Sequence, residues 1–358
     1  MLLIFNFQLS IFNSQFSTLN FQFSTLNFQL STINFQFSTL NFQLYTMLSR
    51  IADSLFWMTR YVERTDGILR MLKINFITSL DRSGESNFSW QPVLKVFAHM
   101  PDEKIATFSS RSDDVLKYMI TNKDNHNSIR NIIARARENA RGMQDHITKE
   151  TWECMNEFYH HVNSLDIEEV IKREEQIVML SSLIERCLLF YGVAEVTMPR
   201  GQGWNYMNLG KFIERGIQTA DILDVKFNDI SYNLDDSADI PYYRNLLLSL
   251  SGYELYLKSY RTGLDSQNVV DMTLLNTNFP RSVLYCLVRL DRTIQGIAGE
   301  NMEATPQLQK IIGRLRSTVE FSDIKSISEK GLHNFLAEVK NNLYGFSNAL
   351  SRSYFAYK

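Results

Sequence analysis

Cysteine, proline and glycine are all scarce in this chain: 3, 6 and 15 of 358 residues. The three cysteines, Cys154, Cys187 and Cys286, are widely spaced and odd in number. That excludes a closed disulfide framework and any paired CxxC zinc or redox motif, and it suits a reducing cytoplasm. The scarcity of proline and glycine argues against a turn-dense β-sandwich and favours helices. Excess charge is also missing: 37 Lys and Arg against 39 Asp and Glu give a formal net charge of -2. A broad nucleic-acid-coating surface needs many uncompensated cations, so nucleic acid is not an expected partner. What is present is 44% hydrophobic and 21% charged residues, a globular composition with length for one large domain or two ordinary ones.

Residues 1–46 form a separate object. From Phe5 to Thr46 the chain repeats in sevens, with units beginning at Phe5, Phe12, Leu19, Leu26, Ile33 and Leu40. No residue before Arg50 is charged, and none is Pro or Gly. The apolar positions are first, third and fifth in each unit, whereas a coiled coil needs a spacing of three and four. Alternation within a unit is strand-like, yet an odd period flips the apolar face at every repeat. There is no basic start and no long apolar run, so neither a signal peptide nor a membrane span is expected. So regular a heptapeptide resembles translated repetitive DNA. The expectation is a wrongly assigned start, with Met47 as the biological one; the alternative is a genuine low-complexity, aggregation-prone leader.

Residues 47–358 read as helix nearly throughout. Helical spacing and caps place segments at 49–80, 90–99, 112–121, 128–146, 149–163, 166–193, 204–226, 241–261, 267–276, 281–298, 306–319 and 327–352. Polar linkers are expected at 81–89 and 227–239. The fold class is therefore all-α, a multi-helix bundle.

Two stretches align without gaps: Met58-Thr59-Arg60-Tyr61-Val62-Glu63-Arg64 and Leu209-Gly210-Lys211-Phe212-Ile213-Glu214-Arg215. They predict two related helical halves, 47–200 and 201–358. At 100° per residue, Arg60, Glu63, Arg64 and Gly67 share one helix face, with Phe56 and Trp57 flanking. Lys211, Glu214, Arg215 and Gln218 do the same in the second copy, with Trp204 and Met207 nearby. Two readings stand side by side. In one, Glu63 pairs with Arg215 and Glu214 with Arg64 across a pseudo-twofold helix contact, which fixes register more than it adds stability. In the other, a carboxylate–guanidinium pair grips a peptide carboxylate or a phosphate, with Trp57 and Trp204 as apolar contacts.

Met47-Leu48-Ser49-Arg50 through Tyr61-Val62-Glu63-Arg64 closely resembles the opening of the bacterial alpha-E domain family. Ala136-Arg137-Glu138-Asn139-Ala140-Arg141, Trp152-Glu153 with Met155-Asn156, the second Glu-Arg segment, and Phe279-Pro280-Arg281-Ser282-Val283 resemble it too. The resemblance covers essentially all of 47–358. One departure is Thr59, where the family usually has Gly, which puts close helix packing there in doubt. The resemblance implies an all-helical domain named for its Glu-Arg motif and of unestablished activity. It also implies a setting: such proteins are typically encoded beside, or fused to, a circularly permuted ATP-grasp ligase, often with a transglutaminase-like protease. ATP-dependent peptide synthesis or modification in the cytoplasm is the context so implied.

Other candidates are weaker. Arg130, Arg137 and Arg141 lie on one helical stripe, fit either to hold phosphate or a nucleic-acid backbone, or to form a solvated face laced by Glu138–Arg141 and Arg141–Asp145 pairs. Trp152 reads first as core packing. Arg281 and Ser282 follow Pro280 at a helix N-terminus, where free amides favour an anion. His160 and His161 are adjacent and point about 100° apart on a helix, a poor metal site. No HExxH, Walker loop, GxSxG elbow or spaced Cys/His set is present, so neither metal nor cofactor is expected. The function so read is an accessory or substrate-handling protein of an ATP-grasp-linked peptide system, binding a peptide, a carrier or the ligase. The alternative is an enzyme of peptide metabolism with Glu63 and Glu214 as acid–base groups.

Overall fold

The computed structural model describes residues 2–81, 90–98, 100–108, 111–234, 240–261, 263–297 and 305–355. It divides into two compact units, residues 1–50 and 51–358. The first unit lies within helix α1 (Leu2–Asp81), so the heptapeptide array is helical rather than extended. Seven residues make almost two full turns, and nothing in the array breaks a helix. Thr25 and Thr32 donate back to the carbonyls of Phe21 and Phe28, and Phe21, Phe23 and Phe28 are exposed.

The second unit holds the remainder of α1 and fifteen further α-helices, with no strand among the described residues. In chain order these are α2 (Gln91–Phe97), α3 (Asp102–Phe108), α4 (Ser112–Ile120), α5 (Ile129–Arg141), α6 (Lys149–Asn163), α7 (Ile167–Lys172) and α8 (Gln176–Thr197). Then follow α9 (Gln202–Asn228), α10 (Ile240–Ser249), α11 (Tyr253–Ser259), α12 (Ser266–Leu274), α13 (Val283–Gln295), α14 (Thr305–Glu320), α15 (Ile324–Lys330) and α16 (Leu332–Tyr354). The order repeats: α1 to α8 match α9 to α16 one for one. Local chemistry repeats with it. Asn122 accepts from the amides of Asp124 and Asn125, and Asn276 from those of Asn278 and Phe279, just after the fourth helix of each half. Ser128 caps α5 and Ser282 caps α13 in the same way.

The expected segment 128–146 stops early, with α5 ending at Arg141, and three other segments that periodicity joins are broken. Each break falls at or beside a residue in the left-handed region: Glu174 (φ 59) between α7 and α8, Ser251 (φ 57) between α10 and α11, and Gly331 (φ 84) between α15 and α16. Periodicity passes over such a break because the apolar stripe resumes on the far side. Helix α3 has no counterpart in the periodic reading. Of the expected linkers, 82–89 and 235–239 lie outside the described residues; α9 itself runs on to Asn228.

Helices α1 and α9 are central. From Leu55 to Leu72, and from Tyr206 to Leu223, they are buried on nearly every side. Around α9 pack α13, α16 and α2; α5 packs on α6, α6 on α8, and α13 on α14. The apolar residues of both halves form one core. Among the described residues α8 is the one helix long and apolar enough to cross a membrane by length and composition, a property the sequence reading passed over.

Candidate functional site

Equivalent positions of α1 and α9 face each other along a seam running in steps of four. Thr59 meets Gly210, the Glu-Arg pairs come next, and Gly67 meets Gln218. A Cβ at Gly210 would stand 2.2 Å from the Phe56 carbonyl oxygen, so the backbones touch there. Thr59 fits because Gly210 opposite has no side chain, and its hydroxyl donates to the Met207 carbonyl at 2.8 Å.

The pairs are reciprocal. Arg215 donates to Glu63 through Nε (2.7 Å, to Oε1) and Nη2 (2.9 Å, to Oε2). Arg64 donates to Glu214 through Nε (2.7 Å, to Oε1) and Nη2 (3.1 Å, to Oε2). Each carboxylate also takes a second guanidinium, and here the halves differ. Glu214 takes Arg60, whose Nε and Nη2 lie 2.9 and 2.8 Å from Oε2. Glu63 takes Arg281, whose Nη1 is 3.1 Å from Oε1, and Tyr191, whose hydroxyl donates to Oε2 at 2.6 Å. Arg281 reaches on to Asp66, which also holds Arg70 at 2.9 Å. Lys211, the counterpart of Arg60, makes no ion pair to Glu63; its ammonium lies 4.5 Å from the centre of the Tyr191 ring. The Arg281 position in the first half belongs to Asn127, which donates to the Phe97 carbonyl instead.

Charge follows geometry. Burial alone would push both carboxyls up. Arg215 and Arg281 more than offset this and hold Glu63 well below the ordinary range. Arg64 and Arg60 do the same for Glu214, which falls to about 2. Burial, and then the nearby Arg215, bring the Lys211 ammonium down to about 8. Burial and the adjacent Glu63 raise the Tyr191 phenol well above its usual value. Both glutamates are thus fully ionised at neutral pH, poor groups for moving a proton.

Open space at the seam is small. A cavity of about 40 Å³ lies where Arg60, Arg64, Asn127, Glu214, Gln218 and Tyr344 meet, with room for little more than a water. It occupies the side of Glu214 that Arg281 fills at Glu63. A larger cleft of about 550 Å³, lined by Met100, Glu103, Lys104, Phe108, Arg111 and Asp114, shares no residue with it. Among the described residues no group of three or more His, Cys, Asp or Glu is placed to hold a metal.

The other sequence candidates fall elsewhere. Trp57 lies beneath Arg60, 4.7 Å from ring centre to guanidinium. Trp204 does not join the pairs: it stacks under Arg200 at 4.0 Å, at the start of α9, because it precedes the seam by more than a turn. Arg137 covers Trp152 and Tyr159 and donates to Asn156 at 3.0 Å, tying together two of the family-like segments. Arg141 pairs with Glu138 at 3.6 Å. The expected helical Arg141–Asp145 spacing is not realised, because α5 ends at Arg141 and Asp145 lies in the short 3-10 turn beyond it. Arg281 does not serve an open helix terminus: Ser282 caps α13, and the guanidinium turns inward to Glu63 and Asp66. Sequence reasoning missed Asp66 and Tyr191. The repeated Tyr191-Gly192 and Tyr344-Gly345 pairs were the available signal for the tyrosine.

Comparison with known proteins agrees with this architecture. The family model Alpha-E, a predicted alpha-helical domain with a conserved ER motif, matches residues 47–355, and the chain belongs to that family. Uncharacterised proteins of Mycobacterium bovis and Mycobacterium tuberculosis are each 22% identical over 309 residues, which is 81% of this chain and 34% of theirs. The chain thus spans about a third of the length of these relatives. No solved structure matches it.

Proposed function

We propose that this member of the Alpha-E family is a non-catalytic helical component of a cytoplasmic ATP-grasp-linked peptide synthesis or modification system. In this reading it holds a partner, either a ligase or the peptide that the ligase works on, while the chemistry takes place on the partner. A transglutaminase-like protease is a further candidate partner.

One observation carries the reading. The residues best suited to chemistry, Glu63 and Glu214, are consumed by each other's arginines inside the seam between α1 and α9. A carboxylate that is buried and clamped by two guanidiniums has neither the accessibility nor the pKa of an acid–base catalyst. The cavity beside Glu214 is also too small for a substrate. What the pairs do well is lock two helical halves in one register, leaving the outer helices as the working surface. The longer relatives support this, because in them the matched region is joined to further protein. The peptide-ligase context itself comes from the family resemblance.

The test is a reaction mixture of the purified protein, ATP and candidate peptides, with and without the ATP-grasp protein of the same genome. Turnover only in the mixture is the expected result. Turnover by the isolated protein, lost in a folded Glu63→Gln or Glu214→Gln variant, would overturn it in favour of an acid–base enzyme.

A further inference from the structure

Helices α8 and α16 hold equivalent places in the two halves, yet their outer faces differ. The Tyr191-Gly192 pair of α8 stands where α16 has Tyr344-Gly345, which aligns the two helices residue by residue. On α16 the exposed positions include His333, Asn334, Asn341, Tyr344 and Asn348, and the residues aligned with Leu188 and Leu189 are Asn341 and Asn342. On α8 they include Val178, Leu188, Leu189 and Val196, exposed by 68, 53, 46 and 85%. Both helices bury the opposite side in the core, so packing does not explain the difference. Exposed apolar clusters of this kind mark interaction surfaces.

The pattern on α8 identifies the shape of what it meets. Val178, Ser182, Glu185, Leu189, Gly192 and Val196 step by four and three alternately, the spacing of a seam between two helices. Nothing lies within 4 Å of a Cβ built at Gly192, so a second helix has room to approach closely there, whereas half-buried Ser182 sets its hydroxyl against His161 of α6 at 3.2 Å. Glu185 sits in the middle of this stripe, exposed, with no ion pair among the described residues. The outer face therefore presents an apolar strip with one uncompensated negative charge at its centre.

We propose that the outer face of α8 docks an amphipathic helix of a partner protein, one that carries an apolar seam and a Lys or Arg opposite Glu185. The charge selects this occupant. A second copy of α8 would bring as its nearest cation Arg186, which Glu157 already holds at 3.3 Å, and a lipid surface would place Glu185 against acyl chains or anionic headgroups. The proposal rests on the reading that the protein works through a partner, and it assigns the surface.

The experiment measures fluorescence anisotropy of a labelled synthetic helix, as long as the 22-residue α8, added to the full chain. The peptide has Leu at the seam positions and Lys at the central one; a second peptide has Glu there. Saturable binding of the Lys peptide is expected, weakened about tenfold or more by Leu189→Asp and by the Glu peptide. Glu185→Lys should restore binding of the Glu peptide, while Asn341→Asp and Asn348→Asp on α16 change nothing. These positions are exposed, and thermal melts verify that the variants fold. Absence of saturable binding, or binding indifferent to Leu189→Asp, overturns the proposal. So does sedimentation with phosphatidylglycerol vesicles, or a dimer in analytical ultracentrifugation, that Leu189→Asp abolishes. No ligation is measured, so this outcome is separable from that of the reaction mixture above.

Discussion

Thr59 and Gly210 occupy equivalent places in the two halves and face each other where α1 crosses α9. A Cβ on Gly210 would stand 2.5 Å from the Thr59 hydroxyl and 2.2 Å from the Phe56 carbonyl oxygen. The nearer obstacle is backbone, which has no rotamer to move. Gly210→Ala is therefore expected to lower stability by about 1–3 kcal/mol, as overpacking does. Gly192→Ala, where nothing lies within 4 Å, should raise it by about 0.5–1 kcal/mol through helix propensity alone. Urea denaturation of both variants checks the pair. An unchanged midpoint for Gly210→Ala would mean that the helices are not in contact at this point.

Acid should unlock the seam. Glu214 titrates at about 2 in the folded protein, against 4.5 ordinarily. A lowered folded pKa contributes stability that is fully present above the unfolded value and is lost as pH falls through the folded one. The loss is expected between pH 4.5 and about 2 and amounts to about 3 kcal/mol for Glu214. Glu63 acts in the same direction. Chemical denaturation at a series of pH values, wild type against Glu214→Gln, measures it. A difference between the two that stays constant over this window would refute the assignment.

Removing Glu63 leaves Arg215 and Arg281 buried together without their shared carboxylate. Glu63→Ala is expected to cost about 3–5 kcal/mol. In a double-mutant cycle with Arg215→Met the two losses should not add, and a coupling of about 1–3 kcal/mol is expected. A cost below about 1 kcal/mol would mean that solvent already compensates these charges.

The match to the family model begins at residue 47, and the second compact unit at residue 51. A chain that begins at Met47 is therefore expected to melt within about 2 °C of the full chain. Differential scanning calorimetry of both decides it. A markedly lower midpoint for the shorter chain would show that residues 1–46 contribute to the folded core.

Much of the seam was legible in the sequence. The two Glu-Arg stretches lie 151 residues apart and share a helical face, and duplicated helices with equivalent mixed faces tend to pack about a common axis. That reasoning leads to reciprocal pairs, and the distances show them. The second guanidinium on each carboxylate was not legible. The duplication predicts Arg60 on Glu214 and Lys211 on Glu63, but Glu63 takes Arg281 from the turn before α13. Nothing in local spacing connects two residues 218 positions apart. Trp204 misled for the converse reason: nearness in sequence placed it beside the pairs, whereas the turn of the helix places it under Arg200.

The sequence by itself determined the helical class, and it offered the two related Glu-Arg stretches, with Glu63–Arg215 and Glu214–Arg64 pairing as one of two readings. Each follows from periodicity or from identity between two stretches, which are local properties of the chain. Only the tertiary structure decided that the pairs are made and buried, that their charges are spent inside the molecule, and that Leu188 and Leu189 of α8 stand exposed. Burial and charge compensation depend on which distant side chains arrive at a given point. The same Glu-Arg spacing on an exposed helix would have left both carboxylates free.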